Sequence, residues 1–227
     1  MPDIGLLNEK PLHASLKEWY ANPGDRFEVA VDGFVIDLVQ DDLLVEIQTG
    51  SFTSIKSKLT DLTHRHRVRL IYPIAKEKWI VKLPTAASDK TSRRKSPKRG
   101  RMVDLFWEMV SIPQLLENPN FEVEVLMIQE DEVRRFEGRR RWRRKGWGIQ
   151  ERRLLDVVDR ELFKQPSDWL KLLPENLVEP FTTKDLADTM DISRDLAQKM
   201  TYCLRQVSVI KQAGKRRHSH LYEIVSV

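Results

Sequence analysis

The chain has 227 residues, 41% of them hydrophobic, and its 39 Lys and Arg against 34 Asp and Glu give a formal net charge of +5. This length allows a substantial core and predicts two domains. The single cysteine, Cys203, excludes an intramolecular disulfide and a cysteine-rich zinc site. The opening residues have no signal-peptide segment, and no apolar run approaches the about 18 residues of a membrane span, so we expect a soluble cytoplasmic protein without a membrane partner.

The first predicted element is a helix in residues 8–21, NEKPLHASLKEWYA. Its apolar side chains repeat at helical spacing and are expected to pack on a core: Leu12, Leu16, Trp19 and Tyr20. A separate polar stripe carries Glu9, His13 and Lys17 at positions i, i+4 and i+8. The stripe fits either an exposed helix surface with ordinary i,i+4 contacts or a contribution to a functional site.

Residues 34–49, FVIDLVQDDLLVEIQT, predict a β-hairpin. Asp41 and Asp42 are turn formers between two runs rich in Val, Ile, Leu and Phe. A loop with an even number of residues centred on this pair sets Asp37 directly opposite Glu46. Strand alternation then places Gln48 on the same face, two residues beyond Glu46.

Opposed side chains have Cβ atoms about 4.5–5.5 Å apart, and like charges at that separation destabilise a sheet. A divalent cation between Asp37 and Glu46 reverses this effect, because hard cations such as Mg²⁺ bind carboxylate oxygens. The alternative is that both acids lie on the solvated face of a two-sided strand pair. Their apolar neighbours favour the metal site, since a buried carboxylate needs a partner.

A further helix and two strands are predicted after the hairpin. Ser51 is a candidate N-cap, followed by four apolar residues at helical spacing: Phe52, Ile55, Leu59 and Leu62. Two lysines, Lys56 and Lys58, lie near the start of this helix. Residues 66–75 and 76–83 then read as separate strands, with Pro73 and the lysines of 76–78 marking their connection.

The order of these elements, with the motif D-x8-E-x-Q of Asp37, Glu46 and Gln48, resembles the PD-(D/E)XK nuclease superfamily over roughly residues 5–83. The resemblance implies a restriction-endonuclease-like α/β core in which Asp37 and Glu46 are catalytic and hold Mg²⁺ or Mn²⁺. Members of the superfamily often add a glutamate from the first helix, which here is Glu9 or Glu18.

Gln48 departs from the superfamily, since most members carry lysine at this place. A neutral amide can orient a water molecule but cannot supply positive charge to a transition state. Lys56 or Lys58 could replace the missing lysine from the neighbouring helix, although lysines on an amphipathic helix are more often solvated.

Positive charge is concentrated in two segments. Residues 88–101, SDKTSRRKSPKRGR, predict a flexible basic loop, and residues 134–145, RRFEGRRRWRRK, are denser and include aromatic side chains. An apolar helix near residues 105–110 and a strand in 121–129 are predicted between them. Basic side chains neutralise phosphates, so Arg139, Arg140 and Arg141 are candidate nucleic-acid ligands, with a solvated linker as the alternative.

Residues 181–225 predict a helix, a short turn, a longer helix and two strands around a tip that contains Gly214. This order resembles a winged helix-turn-helix, with residues 149–163 as its first helix. The resemblance implies that the second helix of the motif enters the major groove of DNA through Arg194, Gln198, Lys199 and Arg205. The tip of the two strands is then expected to contact DNA through Lys215, Arg216, Arg217, His218 and His220. Protein contact is the alternative role of such a domain.

Together these features predict a nuclease-like domain in residues 1–132, a basic linker in 133–148 and a winged-helix domain in 149–227. The predicted function is metal-dependent hydrolysis of duplex or branched DNA, with Gln48 orienting the attacking water and a homodimer as one way to cut both strands. The first alternative is a catalytically inactive DNA-binding or regulatory protein that keeps the nuclease fold. The second is an interaction module that uses both domains for protein partners.

Overall fold

The computed structural model describes residues 10–85, 90–138 and 146–225, which form a mixed α/β structure. Its helices are α1 Pro11–Tyr20, α2 Lys56–Thr63, α3 Phe106–Met109, α4 Pro166–Leu170, α5 Thr183–Met190 and α6 Arg194–Gln206. Its strands are β1 Arg26–Val31, β2 Phe34–Gln40, β3 Leu43–Ile47, β4 Arg67–Lys82, β5 Ser92–Lys95, β6 Phe121–Phe136, β7 Trp147–Phe163, β8 Ile210–Arg216 and β9 Ser219–Ile224. Within these ranges no helix combines the length and apolar character that crossing a membrane requires.

Seven strands form one mixed sheet in the order β1-β2-β3-β4-β6-β7, with β5 paired to β4. The pairs β1–β2, β2–β3, β4–β5 and β6–β7 are antiparallel, whereas β3–β4 and β4–β6 are parallel. Parallel neighbours need a crossover connection, and α2 supplies it between β3 and β4. Strands β8 and β9 form a separate two-stranded sheet.

Helix α1 packs on one face of the large sheet, where Leu12 and Leu16 meet Val45 and Leu126. The predicted apolar face of α1 is confirmed for these leucines and Tyr20, but Trp19 is 44% exposed. The opposite face is covered by α2, α3 and the C-terminal helices, which share one core. Phe52 and Leu59, two of the apolar residues predicted at helical spacing, lie fully inside that core.

Strand β4 is one continuous strand, so the prediction of two strands in 66–75 and 76–83 is wrong. Ile71 accepts a backbone hydrogen bond from Gln48 on the β3 side, and backbone groups two residues apart point to the same side. The nitrogen of Pro73 therefore faces a position where β3 has ended and β5 has not begun. Proline removes no ladder hydrogen bond there, and the strand continues through it.

Residues 149–163, predicted as a helix, belong to strand β7. Strand β7 pairs along its length with β6, and its register shifts at three bulges. The extra residues at these shifts are Gln150, Leu155 and Val158. Each bulge breaks the period-two alternation of a strand, so the apolar positions of β7 mimic helical spacing.

The two predicted basic segments contain strand residues. Strand β5 lies inside the predicted loop 88–101, and residues 133–136 and 147–148 of the predicted linker belong to β6 and β7. Arg139, Arg140 and Arg141 lie outside the described residues. The division of the chain into two domains stays a prediction.

The helix, turn, helix and strand pair expected in residues 181–225 are present. Thr182 and Ser193 cap α5 and α6 by accepting hydrogen bonds from backbone N–H groups of the first turn. Helix α6 packs on α3, where Lys199 Nζ lies 5.5 Å from the centre of the Trp107 ring. The end of α5 is held by Arg101, which precedes α3 and donates to the Met190 carbonyl at 2.7 Å. The C-terminal helices and the large sheet thus share a continuous core.

Candidate functional site

Three acids form a row across neighbouring strands β1, β2 and β3. The pairs Gln40↔Leu43 and Leu38↔Val45 confirm the two-residue turn at 41–42, and the same register sets Asp37 opposite Glu46. The pairs on either side of residue 28 in β1 set Glu28 opposite Asp37. We call Glu28, Asp37 and Glu46 the acidic row.

Each member of the acidic row meets a basic side chain from a helix. His13 Nε2 of α1 lies 3.2 Å from Asp37 Oδ2, and Lys17, one turn later, forms an ion pair with Glu28. Lys58 Nζ of α2 lies 2.5 Å from Glu46 Oε1. The predicted polar stripe of α1 therefore faces the row, because His13 and Lys17 point toward the strands that carry the acids.

Asp37 is held in its charged form. Burial alone raises its pKa, but the hydrogen bond and charge of His13, the backbone N–H of Ile47 and the charge of Lys58 together lower it below 3.8. The Ile47 N–H donates to Asp37 Oδ2 at 2.8 Å. A backbone donor that meets a carboxylate fixes its orientation as well as its charge.

The pKa of Glu46 is shifted in the opposite direction, toward the neutral form. Glu46 is 5% exposed, and burial together with the negative charge of Asp37 raises its pKa to about 7, against the opposing effect of Lys58. Glu46 Oε1 has the ion pair with Lys58 but no hydrogen bond of normal geometry among the described residues. A buried carboxylate beside a second carboxylate binds cations favourably, because a cation offsets both burial and repulsion.

Lys58, rather than Lys56, approaches the acids. Lys58 Nζ also donates to the Val35 carbonyl at 2.6 Å, which holds the ammonium group between β2 and Glu46. Lys56 is exposed on the same helix. The positive charge that Gln48 cannot supply is therefore present at Glu46, and it comes from α2.

Glu28 was missed by the sequence reasoning, although a signal for it exists. Asp32-Gly33 is a strong two-residue hairpin signal, and a turn there sets residue 28 opposite residue 37. Glu28 has φ +51°, a left-handed conformation that is uncommon for a non-glycine residue inside a strand. Such conformations concentrate at functional sites, where the surrounding structure imposes them.

The acidic row fits a divalent cation through two carboxylates. No group of three or more His, Cys, Asp or Glu side chains in metal-holding geometry occurs within residues 10–85, 90–138 and 146–225. Mg²⁺ commonly takes only one or two protein carboxylates and completes its shell with water and substrate phosphate. Asp37 and Glu46 meet that requirement. Of the two helix glutamates considered as additional ligands, Glu18 is exposed and Glu9 lies outside the described residues.

Gln48 is bound to the turn that follows β3. Its side-chain NH₂ donates to Ser54 Oγ at 3.1 Å and to the Ser51 carbonyl at 3.3 Å, while its Oε1 accepts from the Gly50 N–H at 3.0 Å. All three hydrogen bonds of the Gln48 side-chain amide are therefore made within residues 48–54. They support a role for Gln48 in shaping this turn, separate from the predicted role of orienting water.

We expect Gln48→Ala and Ser54→Ala to lower the free energy of unfolding by similar amounts, about 1 kcal/mol each, because each removes hydrogen bonds of the same exposed turn. Neither change should alter the predicted nuclease activity by more than its effect on folding. Denaturant unfolding and cleavage assays on both variants test this. A large loss of activity in Gln48→Ala alone, with unchanged stability, would assign Gln48 to the chemistry.

The predicted DNA-contacting residues of α6 are largely accessible. Arg194, Gln198 and Arg205 are exposed, whereas Lys199 is partly covered and packs over Trp107. Tyr202, which the sequence reasoning did not select, is 43% exposed between Gln198 and Arg205. Tyrosine at helical spacing from polar neighbours could have been identified as an accessible position from the periodicity alone.

The β8–β9 tip presents most of its predicted contacts to solvent. Lys215, Arg217 and His218 are exposed. Arg216 instead forms an ion pair with Asp185 near the start of α5. The guanidinium of Arg216 therefore connects the tip to α5, and a change at Arg216 is expected to affect the fold as well as any ligand.

Comparisons with known proteins identify relatives without an assigned activity. Residues 10–164 match the model of a family described as a domain of unknown function, DUF8091. A protein of Treponema pallidum (strain Nichols), named "Uncharacterized protein", is 30% identical over 187 residues, which cover 82% of this chain and 74% of the relative. No solved structure gives a significant match. The family match includes the acidic row and ends just after β7.

Proposed function

The chain belongs to the DUF8091 family, and because that description names no activity, we propose a function from the site itself: a DNA-binding protein that hydrolyses phosphodiester bonds with the help of a divalent metal ion. The observation that carries the proposal is the opposition of the half-buried Asp37 and the buried Glu46 on neighbouring strands, next to Lys58. Two acids and a lysine at one place suit phosphoryl transfer, because positive charge must be placed where the phosphate gains negative charge.

The order of elements supports a restriction-endonuclease-like fold as part of this proposal. Helix α1 precedes three antiparallel strands that carry the acids, and α2 leads to the parallel strand β4. The PD-(D/E)XK resemblance has the same sequence of helix, meander, helix and strand. The acids also lie on two neighbouring strands of the meander, β2 and β3, and that resemblance expects an acidic pair in the meander.

The proposed role of each residue at the site follows from the contacts of its side chain. Asp37 and Glu46 would hold Mg²⁺ or Mn²⁺, which when bound lowers the pKa of a water molecule and offsets charge on the phosphate. His13 keeps Asp37 charged and oriented through its hydrogen bond. Lys58 neutralises Glu46 in the free protein, and its ammonium group is close enough to serve as a phosphate ligand when DNA is present.

The C-terminal helices and strands are proposed to bring duplex DNA to the protein as a winged helix. The support is the exposed face of α6 with Arg194, Gln198 and Arg205, and the exposed tip with Lys215 and Arg217. A helix that follows a short turn and exposes polar side chains is suited to the major groove.

A second candidate function is a DNA-binding or regulatory protein without catalysis. It is favoured by one observation: every member of the acidic row already has a basic partner from α1 or α2. Side chains paired in this way form a stable arrangement without a metal ion. If the wild-type protein is inactive, a gain of activity in Gln48→Lys would indicate a decayed site that retains its geometry.

Cleavage of DNA distinguishes the two functions. Purified protein is expected to nick or cut duplex or branched DNA with Mg²⁺ or Mn²⁺ and to be inactive in EDTA. Activity should rise as the pH increases through about 7, because Glu46 must lose its proton to bind a cation. Binding of DNA without cleavage under any of these metals would favour the non-catalytic function.

A further inference from the structure

Positive charge is concentrated at the end of the sheet where the C-terminal parts of β4 and β6 meet strand β5 and the N-terminal part of β7. We define this basic sheet end as residues 76–82, 90–99, 129–138 and 146–154, which contain thirteen Lys or Arg and six Asp or Glu, a formal charge of +7. The whole chain carries only +5. Residues 164–225, which contain the winged-helix elements, have ten basic and eight acidic residues, or +2. The main concentration of positive charge therefore lies outside the winged-helix elements.

Strand register places several of these groups on one face. Pairing sets Arg94 opposite Ile80, Lys82 opposite Arg134 and Phe136 opposite Trp147. Paired residues share a face of a sheet, as do residues two apart in one strand. Arg94, Lys82, Phe136 and Trp147 consequently lie on the same face, which joins cationic and aromatic side chains.

The cations of this face are free to meet an external anion. Three of the six acids of the basic sheet end are paired with other bases: Asp131 with Arg93 at 2.9 Å, Glu130 with Arg152 at 2.8 Å and Glu132 with Lys78 at 2.9 Å. Lys82 and Arg94 have no ion pair with any residue in the described part of the chain. Their charge is therefore not cancelled locally.

The aromatic side chains give the face a second binding property. Phe136 is 50% exposed, and its ring centre lies 5.6 Å from that of Trp147. Lys82 Nζ lies 4.6 Å from the centre of the Trp147 ring, so the tryptophan already holds one cation. Phe136 remains as the accessible ring. Unpaired bases stack on such rings, whereas duplex DNA keeps its base faces covered.

We infer that this face of the basic sheet end binds single-stranded nucleic acid, with Lys82 and Arg94 on phosphates and Phe136 against a base. The inference deepens the proposed function and rests on it for its consequence, which is that the preferred substrate has a single-stranded arm next to a duplex. Arg152 of the basic sheet end donates to the Thr49 carbonyl at 3.3 Å, three residues after Glu46, so the face adjoins the acidic row.

The full-length protein in EDTA provides the test, with fluorescence anisotropy on labelled oligothymidylate and on a duplex of equal length at several salt concentrations. Lys82→Gln with Arg94→Gln should reduce the salt slope for the single strand by about 1.4, at about 0.7 per phosphate contact. Phe136→Ala should weaken single-strand binding by about 5- to 150-fold and leave duplex binding nearly unchanged.

The matched control removes two positive charges from the winged-helix elements. Lys215→Gln with Arg217→Gln should leave the single-strand slope unchanged and reduce the duplex slope by about 1.8, at about 0.9 per contact. Absence of single-strand binding by the wild type, or single-strand binding unaffected by both changes at the basic sheet end, overturns the inference. Because EDTA prevents cleavage, this failure is distinct from failure of the proposed function, which is read from metal-dependent cutting of the duplex.

Discussion

We expect Asp37→Asn and Glu46→Gln each to reduce the proposed metal-dependent DNA cleavage by at least about 100-fold. Both changes remove one negative charge while keeping the size of the side chain, so the loss reflects charge rather than packing. Asp37 is the group held charged by His13 and the Ile47 N–H, whereas Glu46 is the group closest to Lys58. Cleavage of labelled DNA with Mg²⁺ or Mn²⁺ measures the effect.

Asp42→Asn is the matched control for these variants. Asp42 belongs to the same hairpin, but its side chain is 76% exposed at the turn and pairs only loosely with Arg67 at 3.6 Å. It should retain wild-type cleavage. Circular dichroism should show that all three variants stay folded. Full activity in both Asp37→Asn and Glu46→Gln would show that the acidic row is not needed for cleavage.

Lys58→Met should lower the free energy of unfolding by roughly 3 kcal/mol at pH 8, because it leaves Glu46 buried beside Asp37 without its positive partner. The loss should be much smaller at pH 5. Burial and Asp37 raise the pKa of Glu46 from 4.5 to about 7, so at pH 5 the folded protein carries Glu46 in its neutral form. Urea unfolding at both pH values measures the difference.

Glu46 also makes the folding stability of the wild-type protein depend on pH. Its pKa is higher in the folded than in the unfolded state, so folding takes up a proton between about pH 4.5 and 7, and stability falls as the pH rises through that interval. Lys56→Met is the control, because Lys56 is exposed on the same helix and should have little effect at either pH. Equal losses for Lys56→Met and Lys58→Met would show that the Lys58 ion pair contributes no specific stability.

The pairing of the two acids was predictable because a short turn determines the register of a hairpin. Asp41-Asp42 sets Asp37 opposite Glu46, and the equally clear Asp32-Gly33 sets Glu28 opposite Asp37. The choice of Lys58 over Lys56 was not predictable, since it depends on how α2 lies across the sheet. Sequence spacing describes a helix face, but it does not specify which residue of that face reaches a neighbouring strand.

The long strands β4 and β7 were harder to predict because their conformation depends on the strands that pair with them. Pro73 looks like a strand break until the gap between β3 and β5 is known. Strand β7 looks helical because its bulged residues, such as Leu155 and Val158, interrupt the alternation. Both errors arise because tertiary pairing, rather than local preference, determines these strands.

Calorimetric titration of the DNA-free protein with Mn²⁺ tests most directly whether Asp37 and Glu46 form a metal site. The wild type should bind about one ion per chain at pH 7.5, and at pH 6 binding should release a proton, because Glu46 must then give up its proton to the buffer. Asp37→Asn should lose this binding, while Asp42→Asn should keep it. Absence of Mn²⁺ binding by the wild type, or equal binding by Asp37→Asn, would contradict a metal site at Asp37 and Glu46.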